Sequence, residues 1–274
     1  MAQGRYISFF MTASMINSFK HGSVAGMPWL PKVRSKAASK LRLFCFPYAG
    51  GASYTYSSWD SLLPQEIEVC PVELPGRASR MREPAARNIR SLVQLMTAAL
   101  LPWLDRPFAF YGHSMGALIS FELARELRRS HQLQPVHMFV SSCLPPHSPR
   151  RREKVTYNLP EPQFIAALRH FNGIPNEVQE HSEELMQLAM PLLRADFEAC
   201  QTYKYIAGQV LECPLTVAGG LEDKGLNQGD LEQWQEHTTS ACTVRMVSGD
   251  HLFINTSQTW ILRLLAEQLS EYTR

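Results

Sequence analysis

The sequence predicts an α/β fold in which a mostly parallel central sheet is flanked by helices. Short apolar runs with strand character alternate with longer segments whose apolar residues recur at helical spacing, which is the pattern of strands joined by crossover helices. Between Ser142 and Leu211 this alternation stops, since the interval holds several helical stretches and no convincing strand. We therefore expect a helical insertion that covers the functional edge of the sheet.

The composition indicates a globular protein with a sizeable core. Of the 274 residues, 45% are apolar and 19% are charged, and the net charge of +2 gives no strong attraction to nucleic acid or to a membrane surface. No apolar run is long enough to span a bilayer. We expect residues 1–40 to form a poorly ordered leader, and residues 41–274 to form one domain with a helical lid insertion at about 145–210.

The first part of the domain alternates as this fold requires. Pro47 ends an apolar strand, and a second apolar run leads into a Leu-Pro-Gly turn. Helical apolar spacing and then an amphipathic pattern mark two helices on either side of a third strand. The predicted elements are strand Leu41–Phe46, strand Ile67–Val72, helix Asn88–Leu104, strand Phe108–Tyr111 and helix Ala117–Arg129.

The second part contains the insertion and three further strands. Pro and Gly residues separate the helical stretches of the insertion, so we read them as separate helices. The predicted elements are strand Val136–Ser141, insertion helices Phe164–Phe171, Glu183–Leu193 and Arg194–Tyr205, strands Leu215–Ala218 and Thr243–Val247, and helix Trp260–Leu269.

The six cysteines predict neither a disulfide framework nor a metal site. They are scattered, with no C-x-x-C pair and no Cys/His cluster at zinc spacing. We interpret them as buried, reduced thiols of a cytoplasmic protein. They are Cys45, Cys70, Cys143, Cys200, Cys213 and Cys242.

A nucleophilic serine is predicted between the third strand and the helix that follows it. The segment Gly112-His-Ser-Met-Gly116 fits the pattern G-x-S-x-G, with a hydrophobic strand running into it and a helix running out. The sharp turn of such a nucleophile elbow strains the serine backbone and requires small flanking residues. The pattern therefore predicts Ser114 as the nucleophile of an α/β-hydrolase fold, with the side chain of His113 directed away from the line of attack.

The base and its orienting acid are predicted from chain order. His251 follows the last strand, where this fold presents its base, and the acid is expected on a loop between the nucleophile and the histidine. Asp223 is our choice, because it follows the strand that ends at Ala218. Glu222 is a close alternative and Asp230 a weaker one. Asp196 is a poor candidate, since it lies in the helical insertion. The acid would orient the imidazole and stabilise the imidazolium.

Two backbone N–H groups are expected to stabilise the oxyanion of a tetrahedral intermediate. One is that of Met115, which follows the nucleophile. The other should come from the loop after the first strand, where the pair Gly50-Gly51 lets the backbone fold close to Ser114. We predict the N–H of Ala49 as this second donor, with that of Tyr48 as the alternative.

Five segments of the domain carry the motifs of one family. They are Phe46-Pro-Tyr-Ala-Gly-Gly-Ala52, Glu73-Leu-Pro-Gly-Arg77, Phe110-Tyr-Gly-His-Ser-Met-Gly-Ala117, Pro191-Leu-Leu-Arg-Ala-Asp196 and Ser248-Gly-Asp-His-Leu-Phe253. Together they resemble the type II thioesterases, which accompany fatty acid, polyketide and nonribosomal peptide synthases. The resemblance runs from about Leu41 to the C-terminus and excludes the leader. One departure is Asp250, which stands where the family usually has a second glycine before the histidine.

The resemblance implies a substrate class and a partner. Acyl groups would be removed as thioesters from the phosphopantetheine arm of an acyl or peptidyl carrier protein, for editing or for chain release. Ser114, Asp223 and His251 match the family's triad by position. The resemblance implies no cofactor and no metal of the protein's own, and we expect a cytoplasmic monomer. Two alternatives remain: an esterase or lipase for small oxygen esters, and a hydrolase fold reused as a binding protein.

The insertion carries two further candidates. Its apolar side chains either line an acyl pocket or form the packed core of the lid, and we favour the second interpretation. A basic run at the start of the insertion is either a docking patch for an acidic carrier protein or a solvated loop. The apolar residues are Leu168, Phe171, Leu185, Met186, Leu188, Met190 and Leu192, and the basic run is Arg150, Arg151, Arg152 and Lys154.

Overall fold

The structure is a computed structural model. It describes residues 28–274, apart from 32, 34, 35, 37, 153, 154 and 171–182. Most of residues 1–40, as well as Phe171 and Lys154, therefore lie outside the described residues. None of the helices in the described part of the chain is long and apolar enough to cross a membrane.

A six-stranded sheet forms the centre of the domain, and every neighbouring pair of strands is parallel. The strand order is β2-β1-β3-β4-β5-β6. This is the α/β-hydrolase fold that the sequence predicts. The strands are β1 (Leu41–Phe46), β2 (Ile67–Pro71), β3 (Phe108–His113), β4 (His137–Ser141), β5 (Leu215–Gly220) and β6 (Cys242–Val247).

Helices connect the strands and cover the sheet. Asn88 caps the second of them, since its side chain accepts a hydrogen bond from the Ser91 N–H. Short 3₁₀ turns follow several helices. The helices are α1 (Trp59–Leu62), α2 (Ile89–Leu100), α3 (Met115–His131), α4 (Glu161–His170), α5 (Glu183–Gln201), α6 (Gln228–Glu232), α7 (Phe253–Thr256) and α8 (Gln258–Leu269).

The alternation of side chains along β1 shows how the sheet divides the core. Phe44 and Phe46 point into the cluster that includes residues of α2 and α3, whereas Leu41 and Leu43 point into the cluster on the opposite face, which α8 completes. Successive side chains of a strand face opposite sides of the sheet, so a strand buried on both faces is mostly apolar, and Arg42 is the one charged residue of β1. All six residues of β1 are buried.

The lid insertion differs from the prediction at one point. The sequence predicts a break between Leu193 and Arg194, but α5 continues through both and contains Pro191. A proline inside a helix removes one backbone hydrogen bond. Here Met190 and Leu193 on either side of it are buried in a separate apolar cluster with α4, and this packing holds the helix together.

The boundary of the domain also differs from the prediction. Trp29 and Leu30 lie within the expected leader, but both are buried in the main core. The carbonyl of Trp29 accepts a hydrogen bond from the Glu73 N–H at 2.9 Å, and the Arg80 guanidinium lies 4.0 Å from the centre of the Trp29 ring. These contacts attach the segment to the loop after β2, so it packs as part of the domain.

Candidate active site

Ser114 lies in a strained turn between β3 and α3. Its φ and ψ are 54° and −114°, in a region that residues with a side chain rarely adopt. The Ser114 N–H donates to the carbonyl of Ser141 at 2.7 Å, which fixes the turn against β4. A Cβ atom added to Gly112 would overlap the backbone of Gly116. The flanking glycines of G-x-S-x-G are therefore required by close backbone approach.

The structure brings Ser114, His251 and Asp223 into one hydrogen-bonded chain. Nε2 of His251 lies 2.9 Å from Oγ of Ser114, and Nδ1 of His251 lies 2.8 Å from Oδ2 of Asp223. The carboxylate can only accept, so Nδ1 carries the proton and Nε2 is free to accept the serine proton. The arrangement can activate a serine hydroxyl for attack on an acyl carbon.

Asp223 is held ionised beneath the imidazole. Its side chain is only 2% exposed, and its Oδ1 accepts the Gly225 N–H at 2.8 Å. Burial acts to raise the pKa of Asp223, but the hydrogen bond and charge interaction with His251 and the Gly225 N–H outweigh it, so this pKa is lowered. A charged carboxylate is what is needed to orient the imidazole and to stabilise an imidazolium.

The rival acids occupy other positions. The carboxylate of Glu222 accepts from the N–H of Gly249 rather than from His251, and thus braces the loop that carries the histidine. Asp230 accepts the Asn227 N–H at the start of α6 and pairs with Arg150. Asp196 lies on α5 and contacts the loop after β1. Among these carboxylates, only Asp223 is hydrogen-bonded to the imidazole.

The predicted oxyanion donors lie where the loop after β1 meets the start of α3. We call residues 47–52 the β1 loop. A Cβ atom on Gly116 would overlap the carbonyl oxygen of Phe46 and lie 2.8 Å from that of Pro47, so this loop passes directly against the first turn of α3. The N–H of Met115 belongs to that first turn, whose N–H groups have no partner within the helix. Ala49 lies in the same loop and packs against the main core.

His113 has a contact that the sequence analysis missed. Its buried ring contacts the site from below, with Nε2 2.7 Å from the carbonyl oxygen of His251 and Nδ1 2.9 Å from Oγ of Ser141. Burial, together with the nearby His251, lowers the pKa of His113 to about 3, so the ring is neutral. The sequence holds no signal for this contact, because the two residues are far apart in the chain.

Asp250, the departure from the family pattern, serves the local turn. Its Oδ1 accepts the Leu252 N–H at 2.8 Å, and its carbonyl oxygen accepts the Phe253 N–H at 3.1 Å. Both bonds close the turn that leads from His251 into α7.

The apolar residues of the insertion mainly pack against one another. Leu168, Met186 and Met190 are buried in the lid cluster with Phe164 and Leu193. Leu188 faces outward and is 58% exposed. The interpretation as lid core therefore agrees better with the structure than the interpretation as a pocket lining. Phe171 and the side chain of Leu185 lie outside the described residues.

The first two residues of the basic run are used within the domain. Arg150 pairs with Asp230 and donates to the carbonyl of Gly225. Arg151 donates to the carbonyl of Leu144 at 2.9 Å, and its guanidinium lies 5.8 Å from the centre of the Tyr203 ring. These contacts favour a structural role over a docking patch at Arg150 and Arg151. The side chains of Arg152 and Lys154 lie outside the described residues.

In the described part of the chain, no three His, Cys, Asp or Glu side chains are grouped to hold a metal ion.

Comparison with known proteins points to one family. The model of the Thioesterase domain family matches residues 41–269. The gramicidin S biosynthesis protein GrsT of Aneurinibacillus migulanus is 42% identical over 241 residues, which cover 88% of this chain and 93% of GrsT. LgrE of Brevibacillus parabrevis, named a linear gramicidin dehydrogenase, is 42% identical over 246 residues, which cover 89% of this chain and 93% of LgrE. The serine, histidine and carboxylate geometry of the present chain is that of a hydrolase.

A solved structure agrees with these sequence matches. RedJ, described as a thioesterase from the prodiginine biosynthetic pathway in Streptomyces coelicolor, superposes with a TM-score of 0.80 and is 32% identical. The superposition covers 90% of this chain and 96% of RedJ.

Proposed function

This chain belongs to the thioesterase family, and on that premise we propose that it hydrolyses acyl thioesters held on the phosphopantetheine arm of a synthase carrier protein. One observation supports the chemistry above all others, namely the unbroken hydrogen-bonded chain Ser114–His251–Asp223. The relatives that belong to nonribosomal peptide and polyketide pathways support the substrate class.

In the first half-reaction, His251 acts as a general base. It takes the proton of the Ser114 hydroxyl as the oxygen attacks the thioester carbonyl, and the carbonyl oxygen becomes an oxyanion. The C–S bond then breaks, the pantetheine sulfur takes the proton from the imidazolium, and an acyl-serine remains. Asp223 stabilises the imidazolium while it exists.

In the second half-reaction, water replaces the serine hydroxyl as the nucleophile. His251 removes a proton from the water as its oxygen attacks the acyl-serine, and then returns that proton to Oγ of Ser114 as the ester bond breaks. The acyl group leaves as a carboxylic acid. The chemistry needs neither a metal nor a cofactor of the protein's own, because the histidine moves every proton.

We assign the oxyanion to the N–H groups of Met115 and Ala49. The start of α3 supports this assignment for Met115, since the N–H groups at the start of a helix and the helix dipole both favour negative charge there. The contact of the β1 loop with Gly116 supports it for Ala49, which is close in sequence to the contacting carbonyls of Phe46 and Pro47. Tyr48 is the alternative second donor.

The partner in this proposal is an acyl or peptidyl carrier protein, and the task is editing of stalled acyl groups or release of finished ones. We also propose that the protein acts as a cytoplasmic monomer, and the six free cysteines suit a reducing compartment. Size-exclusion chromatography with light scattering tests the monomer, and a dimer mass would contradict it.

The choice between thioesters and small oxygen esters is tested by substrate comparison. One acyl group is presented on a phosphopantetheinylated carrier domain and as a nitrophenyl ester, and kcat/KM is measured for each. We expect the carrier-bound thioester to have the higher kcat/KM. A higher value for the nitrophenyl ester would contradict the assignment and favour an esterase.

A further inference from the structure

We propose that Asp196 and Arg77 form a positioning pair through which the lid helix α5 holds the β1 loop in the shape needed to bind the oxyanion, a role that rests on the thioesterase function proposed above. Neither residue belongs to the Ser114–His251–Asp223 chain. They are 119 positions apart in the sequence, and both are almost completely buried.

Asp196 connects the lid to the β1 loop directly. Its Oδ2 accepts the backbone N–H of Gly50 at 2.8 Å. The same carboxylate is paired with Arg77 on two sides, with Oδ1 2.7 Å from Nη2 and Oδ2 3.0 Å from Nη1. Such a two-pronged pair fixes the orientation of the carboxylate as well as its distance, so the acceptor for Gly50 has little freedom.

Arg77 holds the other side of the same loop. Its Nη1 donates to the carbonyl oxygen of Gly51 at 2.9 Å, while it also contacts Asp196. The pair therefore binds the N–H of one glycine and the carbonyl of the next. Burying two charges costs solvation energy that a surface pair would not lose, so stability alone is a weak reason for this arrangement.

The shape that the pair holds is a tight turn. The Gly51 N–H donates to the carbonyl of Tyr48 at 2.9 Å, and Gly50 has a φ of +78°. A β-turn with a positive φ at its third residue is of type II, which differs from type I mainly by a flip of its central peptide. That peptide joins Ala49 to Gly50, and Asp196 accepts its N–H. The Asp196 carboxylate thus favours the type II orientation of this peptide over the type I orientation.

The lid helix also leaves no room for a side chain at this position. A Cβ atom on Gly50 would lie 2.7 Å from Cδ2 of Leu193, one turn before Asp196 on α5. The proposed oxyanion donor, the N–H of Ala49, belongs to the peptide next to the one that Asp196 fixes. A displacement of α5 would therefore move this donor relative to Ser114.

The test uses two variants that disrupt the Asp196–Arg77 pair in different ways. Asp196→Asn keeps the size of the side chain but removes its charge. The double variant Arg77→Met with Asp196→Leu replaces the buried pair by apolar groups, which buried sites often tolerate. For both we expect kcat on an acyl thioester to fall about 100-fold, the effect of misplacing or losing one oxyanion donor, with KM unchanged.

A second measurement isolates the oxyanion contact. The probe is an alkyl trifluoromethyl ketone. Oγ of Ser114 adds to its carbonyl carbon, the hydroxyl proton goes to His251, and the carbonyl oxygen becomes an alkoxide at the position of the oxyanion. We expect its Ki to rise in both variants by a factor similar to the fall in kcat. The Kd of unreacted thioester, measured in a Ser114→Ala background, should not change.

The matched control is a buried ion pair at the opposite end of the sheet. Arg42 and Glu68 face each other across β1 and β2 with 2.8 Å between Nε and Oε2, and both side chains are buried. Glu68→Gln should lower the melting temperature, as we also expect for Asp196→Asn, but leave kcat and the ketone Ki at their original values. An equal fall in kcat in the control, or an unchanged ketone Ki in the Asp196 variants, would overturn the positioning role.

The ketone measurement also separates this proposal from the function on which it rests. If the unaltered protein does not hydrolyse carrier-bound thioesters, the proposed substrate is wrong. The ketone still reports on the oxyanion donors in that case, because it reacts with Ser114 whatever the natural acyl carrier is.

Discussion

Nε2 of His113 lies 2.7 Å from the carbonyl oxygen of His251, so the residue before the nucleophile holds the backbone of the residue that would activate it. A carbonyl can only accept, which places the proton of the neutral ring on Nε2 and leaves Nδ1 as an acceptor. The Ser141 hydroxyl then donates to Nδ1. Strands β3 and β4 and the histidine loop are joined through one side chain.

We predict that His113→Phe impairs both catalysis and folding. Phenylalanine fills a similar volume but leaves the Ser141 hydroxyl and the His251 carbonyl without this partner, which should cost about 1–3 kcal/mol of unfolding free energy. The loosened histidine loop should lower kcat about 10- to 100-fold. Urea denaturation and steady-state kinetics measure the two effects. The control is His137→Phe, which removes a buried histidine bonded to Thr216 and should lower stability with kcat retained.

The same residue should make stability depend on pH. Burial lowers the pKa of His113 from 6.5 to about 3, so the unfolded chain binds a proton at this residue between these values and the folded chain does not. The unfolding free energy must therefore rise with pH across this window and fall on acidification. Compared with the unaltered protein, His113→Phe should show a flatter profile between pH 4 and 6.5. If the plots of unfolding free energy against pH are parallel for the two proteins, the low pKa of His113 is wrong.

The choice of Asp223 over Glu222 predicts a large difference between two amide variants. Asp223→Asn keeps the shape of the side chain but favours the wrong imidazole tautomer, and the equivalent change in a serine protease triad lowers kcat about 10⁴-fold. Glu222→Gln weakens bonds to the Gly249 N–H and the Ser248 hydroxyl rather than to the imidazole, and should cost far less. Turnover of one acyl thioester by both variants decides the assignment. A larger loss for Glu222→Gln would exchange the two roles.

Charge reversal at Arg150 distinguishes a role in docking a carrier protein from a structural role of this residue. Because Arg150 pairs with Asp230 and donates to the carbonyl of Gly225, Arg150→Glu should lower the melting temperature. It should change kcat/KM by the same factor for carrier-bound and small thioesters. Arg129→Glu, at an exposed arginine of α3, serves as the charge-reversal control. A loss confined to the carrier-bound substrate would restore the docking interpretation.

The parts of the fold that depend on local pattern could be predicted from the sequence. The strands were recognisable because burial makes them mostly apolar; in β1, which is buried at every position, five of the six residues are apolar. The positions of Ser114, Asp223 and His251 followed from a simple rule, since each lies directly after a strand and the carboxyl ends of parallel strands meet at one edge. All three side chains therefore lie at the same edge of the sheet, where they can form hydrogen bonds with one another.

The parts that depend on long-range contacts could not be predicted. Trp29 is buried because it packs against the loop after β2, and nothing near Trp29 in the sequence indicates this contact. The continuous helix α5 depends on packing with α4 on both sides of Pro191, whereas the local sequence pattern predicts that the helix is interrupted. The place of Asp196 in the insertion argues against a triad role, and nothing near it in the sequence indicates its contact with Gly50, which depends on how the lid lies over the β1 loop.

The role of Ser114 is tested most directly by following one acyl group on its carrier. An acylated carrier domain is incubated with the unaltered protein or with Ser114→Ala, and the mass of the carrier is followed over time. We expect the unaltered protein to remove the acyl mass from the carrier, and Ser114→Ala to remove it at a rate lower by several orders of magnitude. Near-normal deacylation by Ser114→Ala would show that Ser114 is not the nucleophile.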